Sequence, residues 1–333
     1  MIKAFFWSKK WFWWAYGGGL TLILMSYGQV HLSVLFNAWQ RNFYNIMQKP
    51  AKYTFQEFNA GLERFLMLAA FWIVLGAIMN FAASHYGFRW REAITKDYLP
   101  RWKNVPIKIE GESQRMQEDP ALFAEIVESL GLQVINAIMT LIAFIPILWA
   151  LSKEVKYWFL TDISGSLVWV ALVVTIGGMA ITWFVALKLP KLEYKNQVVE
   201  AAFRKELVLA EEDKANHSDL TTLLGLFMGV KLNYCRLYFS KGYVDLWLNM
   251  YSQIMIILPY VIMGSSLMAG IATLGVVVQV SSAFGEVRSS MAIFINNWKV
   301  ITRLRSIRMR LKEFEQNLDK FQTPETTEKK ENE

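Results

Sequence analysis

Five stretches of this chain carry no Asp, Glu, Lys or Arg: residues 11–40, 65–88, 129–152, 163–187 and 246–285. A transmembrane helix needs roughly 20 mainly apolar residues, and each stretch reaches that length. The last is too long for one crossing. At about 1.5 Å per residue it would extend some 60 Å, twice a bilayer core of roughly 30 Å. Six spans follow, at approximately 13–36, 62–88, 130–151, 164–189, 246–266 and 271–298. Charged residues are 19% of the chain, below the roughly 25% of soluble domains. A soluble enzyme, a secreted disulfide scaffold and a disordered chain are excluded. Barrel strands alternate polarity over about ten residues, whereas these runs are continuous. The expected fold class is an all-α integral membrane protein.

Basic residues sort sharply between the two sides. Segments 1–12, 87–131, 188–245 and 299–333 hold 28 Lys and Arg together. The opposite segments, 37–61 and 152–163, hold only Arg41, Lys49, Lys52, Lys153 and Lys156. The positive-inside rule then places both termini in the cytoplasm, and the net charge of +7 reports topology rather than nucleic-acid binding. The uncharged 266–271 connection must be a tight outer turn, bracketed by Gly264, Gly270 and Gly275. Trp7, Trp11, Trp13 and Trp14 gather at the start of span one, and Trp39, Trp149, Trp158 and Trp298 lie near other span ends, as interfacial belts do.

Outer connections are short, while inner ones run to roughly 40 and 55 residues. FRWREAITKDYLPRW and LEYKNQVVEAAFRKELVLAEED have helix-forming composition, with apolar residues three and four apart. Spans two to five are therefore expected to continue as helices past the membrane. The organisation is a short cytoplasmic N-terminus (1–12), a six-helix transmembrane domain (13–315) and a cytoplasmic, disordered tail (316–333), whose last stretch is rich in Thr, Glu and Lys.

Cofactor chemistry is poorly supplied. A P-loop needs G-x-x-x-x-G-K-[ST], and these 333 residues contain none. Lys241 and Gly242 stand in the wrong order for it. Gly17, Gly18 and Gly19 suit close helix packing. His31, His85 and His217 are far apart, and Cys235 is the single cysteine, so neither a metal site nor an intrachain disulfide is indicated. No cofactor is expected.

Charges inside spans are costly and usually functional. Glu286 and Arg288 fall within span six. Two residues apart, they point about 200° away from each other and do not pair on one helix. Each calls for a partner on another helix or for water in a cavity. His31 and His85 read either as hydrogen-bonded structural residues or as proton relays.

The 188–213 segment carries a pattern. At about 100° per residue, Glu193 lies at roughly 0°, Glu200 at −20°, Arg204 at 20° and Glu211 at 0°. Lys191, Lys195 and Lys205 fall on the opposite face. One reading is a solvated face with a Glu200–Arg204 pair. The other is an acidic stripe along an aqueous cavity, attracting cations or taking up protons where crowding raises its pKa values. Glu118, Glu125 and Glu128 form a shorter run.

These residues carry a family resemblance. SHYGFRWREAITKDYLPRW (84–102) looks like the segment leaving span two in ABC-exporter-like membrane domains of the peroxisomal fatty-acyl type. QRMQED (114–119) is similar to that group's Gln-Arg-x-x-Glu-Asp signature. INAIMTLIAFIPIL (135–148) and KLPKLEYKNQVVEAAFRKELVLAEED (188–213) closely resemble the SbmA/BacA peptide transporters of Gram-negative inner membranes. FGEVRSSMAIFINNW (284–298) fits that family's last span.

The resemblance implies a homodimer of the type IV ABC-exporter arrangement without a nucleotide-binding domain. It implies uptake driven by the proton gradient across the bacterial inner membrane, with proline-rich antimicrobial peptides, microcins and glycopeptides as cargo. The family's ladder of cavity glutamates carries over to Glu128, Glu193, Glu200 and Glu211. Arg115, Glu118, Glu206 and Arg288 lie in matching motifs. The family's extra leading span has no counterpart in residues 1–12, which are too short for one. Two other readings remain: the membrane subunit of an ATP-driven ABC exporter with a separate nucleotide-binding partner, and a protein assisting envelope lipid modification.

Overall fold

The computed structural model describes residues 1–106 and 111–320. Every regular element among them is helical. Five helical stretches are long and apolar enough to cross a membrane: Lys9–Gln48, Phe55–Lys103, Glu112–Glu154, Ser166–Glu212 and Leu220–Met268. Their large apolar side chains face outward. Phe71, Ile73 and Phe81 on the second stretch are exposed, as are Val173, Trp183 and Phe184 on the fourth. Such surface is stable against lipid and not against water. The chain is a multi-pass membrane protein.

Two compact units divide the chain. One comprises Met1–Val168 with the residues from Met263 onward, and the other is Trp169–Ile262.

The first unit opens with α1 (Ile2–Phe6), a short π-helical stretch (Trp13–Gly18) and α2 (Gly19–Gln48). Next comes α3 (Phe55–Lys103), begun by a capping box in which Thr54 and Glu57 satisfy each other's backbone N–H. It runs 49 residues, so span two continues well beyond the membrane, as its composition indicates. The same holds for α4 (Glu112–Leu151). Close approach explains the glycine triplet in part: a Cβ at Gly18 would press on the Tyr86 ring, whose hydroxyl donates to the Ala15 carbonyl at 3.1 Å.

The second unit is a long helical hairpin. One arm is the remainder of α5 (Ser166–Ala186) followed by α6 (Leu189–Glu212). After α7 (Lys214–His217), the return arm is α8 (Leu220–Met268) up to residue 262. The break between α5 and α6 coincides with Pro190, which takes a first-turn position in α6 and lacks the N–H a continuous helix would need. The arms run antiparallel. Trp247 donates to Thr182 Oγ1 at 2.9 Å, and Phe203 meets Phe227. On α8, Val230, Asn233, Leu237 and Val244 are buried at steps of three, four and seven residues, along one face.

Beyond the hairpin the first unit resumes. Gly270 adopts φ of 71° in the turn after α8, a left-handed conformation that suits glycine. Gly264 lies within α8, and Gly275 packs against α2. Then follow α9 (Leu274–Met291), α10 (Ile293–Asn296) and α11 (Trp298–Lys320). The expected sixth span, 271–298, is therefore not one uninterrupted helix. It is not among the five apolar stretches either: α9 has 18 residues and carries Gln279, Glu286 and Arg288. It lies against α2 and α4, and its Val277, Val280, Phe284 and Val287 are buried.

The core of this unit joins α1, α3, α4 and α11. Ile307, Leu311, Phe314 and Leu318 form one buried stripe of α11, meeting Ile94, Tyr98 and Phe123. Residues 316–320, grouped with the tail from sequence, belong to this helix. The remaining tail, 321–333, lies outside the described residues.

Candidate functional site

The acidic stripe lies on α6. Glu193 and Glu200 are half-buried, while Glu211 and Arg204 are exposed. Asn196 and Ala210 mark the packed face of the helix. The first two glutamates thus sit at the edge of that face. Lys241 of α8 reaches Glu193 at 3.8 Å. The Glu200–Arg204 ion pair of the solvated-face reading does not form among the described residues, and Arg204 is exposed. Glu206 turns towards the hairpin tip, where its Oε1 lies 2.9 Å from His217 Nδ1.

In the first unit, α4 and α11 enclose a different kind of charge cluster. Asp119 is fully buried. Its Oδ2 accepts from Arg115 at 2.8 Å and from Arg310 Nε at 3.0 Å, and its Oδ1 accepts from Arg310 at 2.5 Å. The Arg310 contact is bidentate, the stronger geometry for a guanidinium and carboxylate. These hydrogen bonds push the Arg310 guanidinium above its ordinary value. The partner of Arg115 within its motif is therefore the motif's last residue, and α11 supplies a second arginine. Glu118 is exposed, takes a hydrogen bond from Gln114 at 3.1 Å, and lines an open cavity of about 540 Å³ with Arg91 and Gln117.

Glu128 is also in this unit, half-buried on α4 against α3. Its Oε2 lies beside Gly87 of α3, where a Cβ would stand 3.6 Å away in ordinary van der Waals contact. Glu286 and Arg288 are half-buried on α9. Neither side chain forms an ion pair among the described residues, in keeping with their opposite directions. The ten candidate residues divide between the two units. Glu193, Glu200, Arg204, Glu206 and Glu211 belong to the hairpin, and Arg115, Glu118, Glu128, Glu286 and Arg288 to the first unit.

Residues 8–319 match the model of a family described as SbmA/BacA-like. The chain belongs to this family. Among curated relatives, this SbmA/BacA-like protein is 27% identical to the inner membrane ABC transporter ATP-binding protein YddA of Escherichia coli, over 89% of the chain and 56% of that relative. It is 26% identical to ABC transporter D family member 2, chloroplastic, of Arabidopsis thaliana, over 89% of the chain and 42% of the relative. The chain thus spans about half the length of these relatives. Family and relatives together place it among the membrane proteins of a transporter family.

Three features of this SbmA/BacA-like chain escaped sequence reasoning. Asp119 closes the QRMQED motif, but its burial is not legible in the sequence. Arg310 stands among closely spaced arginines of α11, and only packing distinguishes it. Lys241 lies 48 residues from Glu193 in sequence, and nothing short of the hairpin brings them together.

Proposed function

We propose that this protein imports peptides across the bacterial inner membrane, driven by the proton gradient, as a homodimer with both termini in the cytoplasm. In this reading α9 with its flanking turns completes a sixth span, and the fold follows the type IV ABC-exporter arrangement. The observation that carries the reading is the α6 stripe. Glu193, Glu200 and Glu211 follow one line along the helix, the second about 10 Å and the third about 27 Å from the first. A carboxylate carries protons when its pKa approaches ambient pH, through desolvation or a like-charged neighbour. Glu193 and Glu200 lie at the edge of a packed face. A second copy presenting its own stripe across an aqueous cavity would supply the like-charged neighbours. Glu128 acts as a further carboxylate of the pathway.

The energy suffices. One charge crossing a potential gains about 2.3 kcal/mol per 100 mV, and a cationic peptide adds its own charge to the gain. Proline-rich antimicrobial peptides, microcins and glycopeptides are the cargo of this reading.

The test is uptake of a fluorescent proline-rich cationic peptide by proteoliposomes. An imposed pH gradient is compared with a matched potassium diffusion potential and with a protonophore control. Uptake that requires the pH gradient and is lost in Glu200→Gln supports the proposal. Uptake under the potential alone, or unchanged uptake in both Glu200→Gln and Glu211→Gln, overturns proton coupling through the stripe.

A second reading starts from the relatives: the Escherichia coli one is named an ATP-binding protein, and both are about twice the length of the matched region. The chain would then be the membrane part of an ATP-driven transporter with a separate nucleotide-binding partner. Transport that begins only when such a partner and ATP are added would establish it.

A further inference from the structure

The N-terminal segment is not a free tail. Phe5 is fully buried, stacked on Trp90 with ring centres 5.4 Å apart and edge-on to Tyr86 at the same distance. Trp11 joins the same core. Residues 1–18 are thereby pinned to α3 where that helix leaves its apolar stretch, around residues 81–96. Two populations of side chain meet there.

The first is aromatic and outward. Trp7, Phe12 and Trp13 from the segment, with Phe81 and Phe88 from α3, are exposed, Trp13 to 80%. The second is cationic. Arg89 lies 4.9 Å over the Trp14 ring, and Lys96 lies 5.7 Å over the Trp11 ring. Both bond to one carboxylate, Glu92, so this trio keeps one positive charge. Lys9 and Lys10 are exposed in the turn between α1 and the π-helical stretch. Neither forms an ion pair among the described residues. An outward aromatic girdle with a surplus of cations at a helix exit matches the two halves of an anionic phospholipid. Aromatic rings sit at the headgroup level, and basic groups attract the phosphate.

The geometry points to a binding site for anionic phospholipid at the collar of residues 7–16 and the 81–96 stretch of α3, with Lys9, Lys10 and Arg89 meeting the headgroup phosphate and Trp13 and Phe88 the acyl chains. Glu92 sets the orientation of the site by holding Arg89 and Lys96 in place. The inference needs the chain to sit in a bilayer. It is independent of cargo, energy source and oligomeric state.

The experiment purifies the full chain from bilayers of equal parts phosphatidylglycerol and phosphatidylcholine and measures the lipids retained. Wild type is expected to retain phosphatidylglycerol preferentially. The K9Q/K10Q variant is expected to lose about fivefold of that preference for each lysine removed. These lysines are exposed, so the variant should fold as wild type. Lys214→Gln, an exposed lysine of α7, is the control and should keep the preference. Equal retention of both lipids by wild type, no change in K9Q/K10Q, or an equal fall in Lys214→Gln overturns the proposal. So does displacement of the lipid by inorganic phosphate, which would make the site one for the free anion.

Discussion

Helices α4 and α6 treat their carboxylates in opposite ways. On α4, Asp119 is sealed between two guanidiniums and has no water contact. On α6, Glu200 and Glu211 are open to solvent in part or in full and make no ion pair among the described residues. A buried charge contributes only when every partner is present, and its removal leaves the others stranded. An exposed or half-exposed acid contributes little to stability, so its position is free to serve another end. The contrast separates a carboxylate that fastens α11 to the body of the first unit from carboxylates placed where protons or cations can reach them.

The largest effect is expected from Asp119→Ala. It leaves the Arg115 and Arg310 guanidiniums facing each other without their common anion. Breaking a buried pair in this way costs about 3–5 kcal/mol. The partial exposure of both arginines, 23% and 33%, places the cost towards the lower end. Thermal unfolding of the detergent-purified variant, followed by tryptophan fluorescence, measures it. A midpoint equal to wild type would show that the clasp carries no load and would erase the contrast. Arg310→Met in the Asp119→Leu background should recover part of the loss, because apolar replacement of a whole buried pair is often neutral.

Smaller steric effects are expected where glycine admits a neighbour. A Cβ at Gly275 would collide with the Arg41 carbonyl oxygen and the Asn45 side chain of α2. Since backbone cannot swing aside, Gly275→Ala should cost about 1–3 kcal/mol. At Gly178 the obstacle is the Tyr251 ring, a side chain that can rotate. Gly178→Ala should therefore cost less, and Tyr251→Ala in the same chain should relieve it. Equal costs at both glycines, read from the same unfolding curves, would mean that the hairpin is packed as rigidly as the α2–α9 seam.

How much of this was legible in the sequence follows from the physics of each element. Apolar runs are local, so five of the six expected spans correspond to long apolar helices. The sixth mixes valines with Gln279, Glu286 and Arg288, and its break after Met291 had no proline or glycine to announce it. The long inner helices were legible from their spacing. The line of acids on α6 needed only the helical repeat, but the exposure of Arg204 depended on which face α8 covers. The Asp119 clasp joins residues 191 positions apart, and the docking of Phe5 on Trp90 joins residues 85 positions apart. No periodicity encodes contacts of that range.

The smallest effect on stability is expected from Glu200→Gln and Glu211→Gln. Surface substitutions without buried partners usually stay within about 0.5 kcal/mol, so both variants should unfold at the wild-type temperature. In proteoliposomes, however, each should reduce pH-driven peptide uptake by tenfold or more. Glu193→Gln belongs between these limits. Its carboxylate meets Lys241 at 3.8 Å with both side chains about a third or more exposed, a pair worth about 0.2–1 kcal/mol. Removing it should loosen the hairpin slightly as well as the transport. A variant of Glu200 that unfolds early would move that residue to the structural class of Asp119. A variant that is stable and transports normally would leave the stripe as solvated surface. Loss of uptake with unchanged stability is the outcome that keeps the two helices distinct, because only a carboxylate that holds nothing together can fail in function alone.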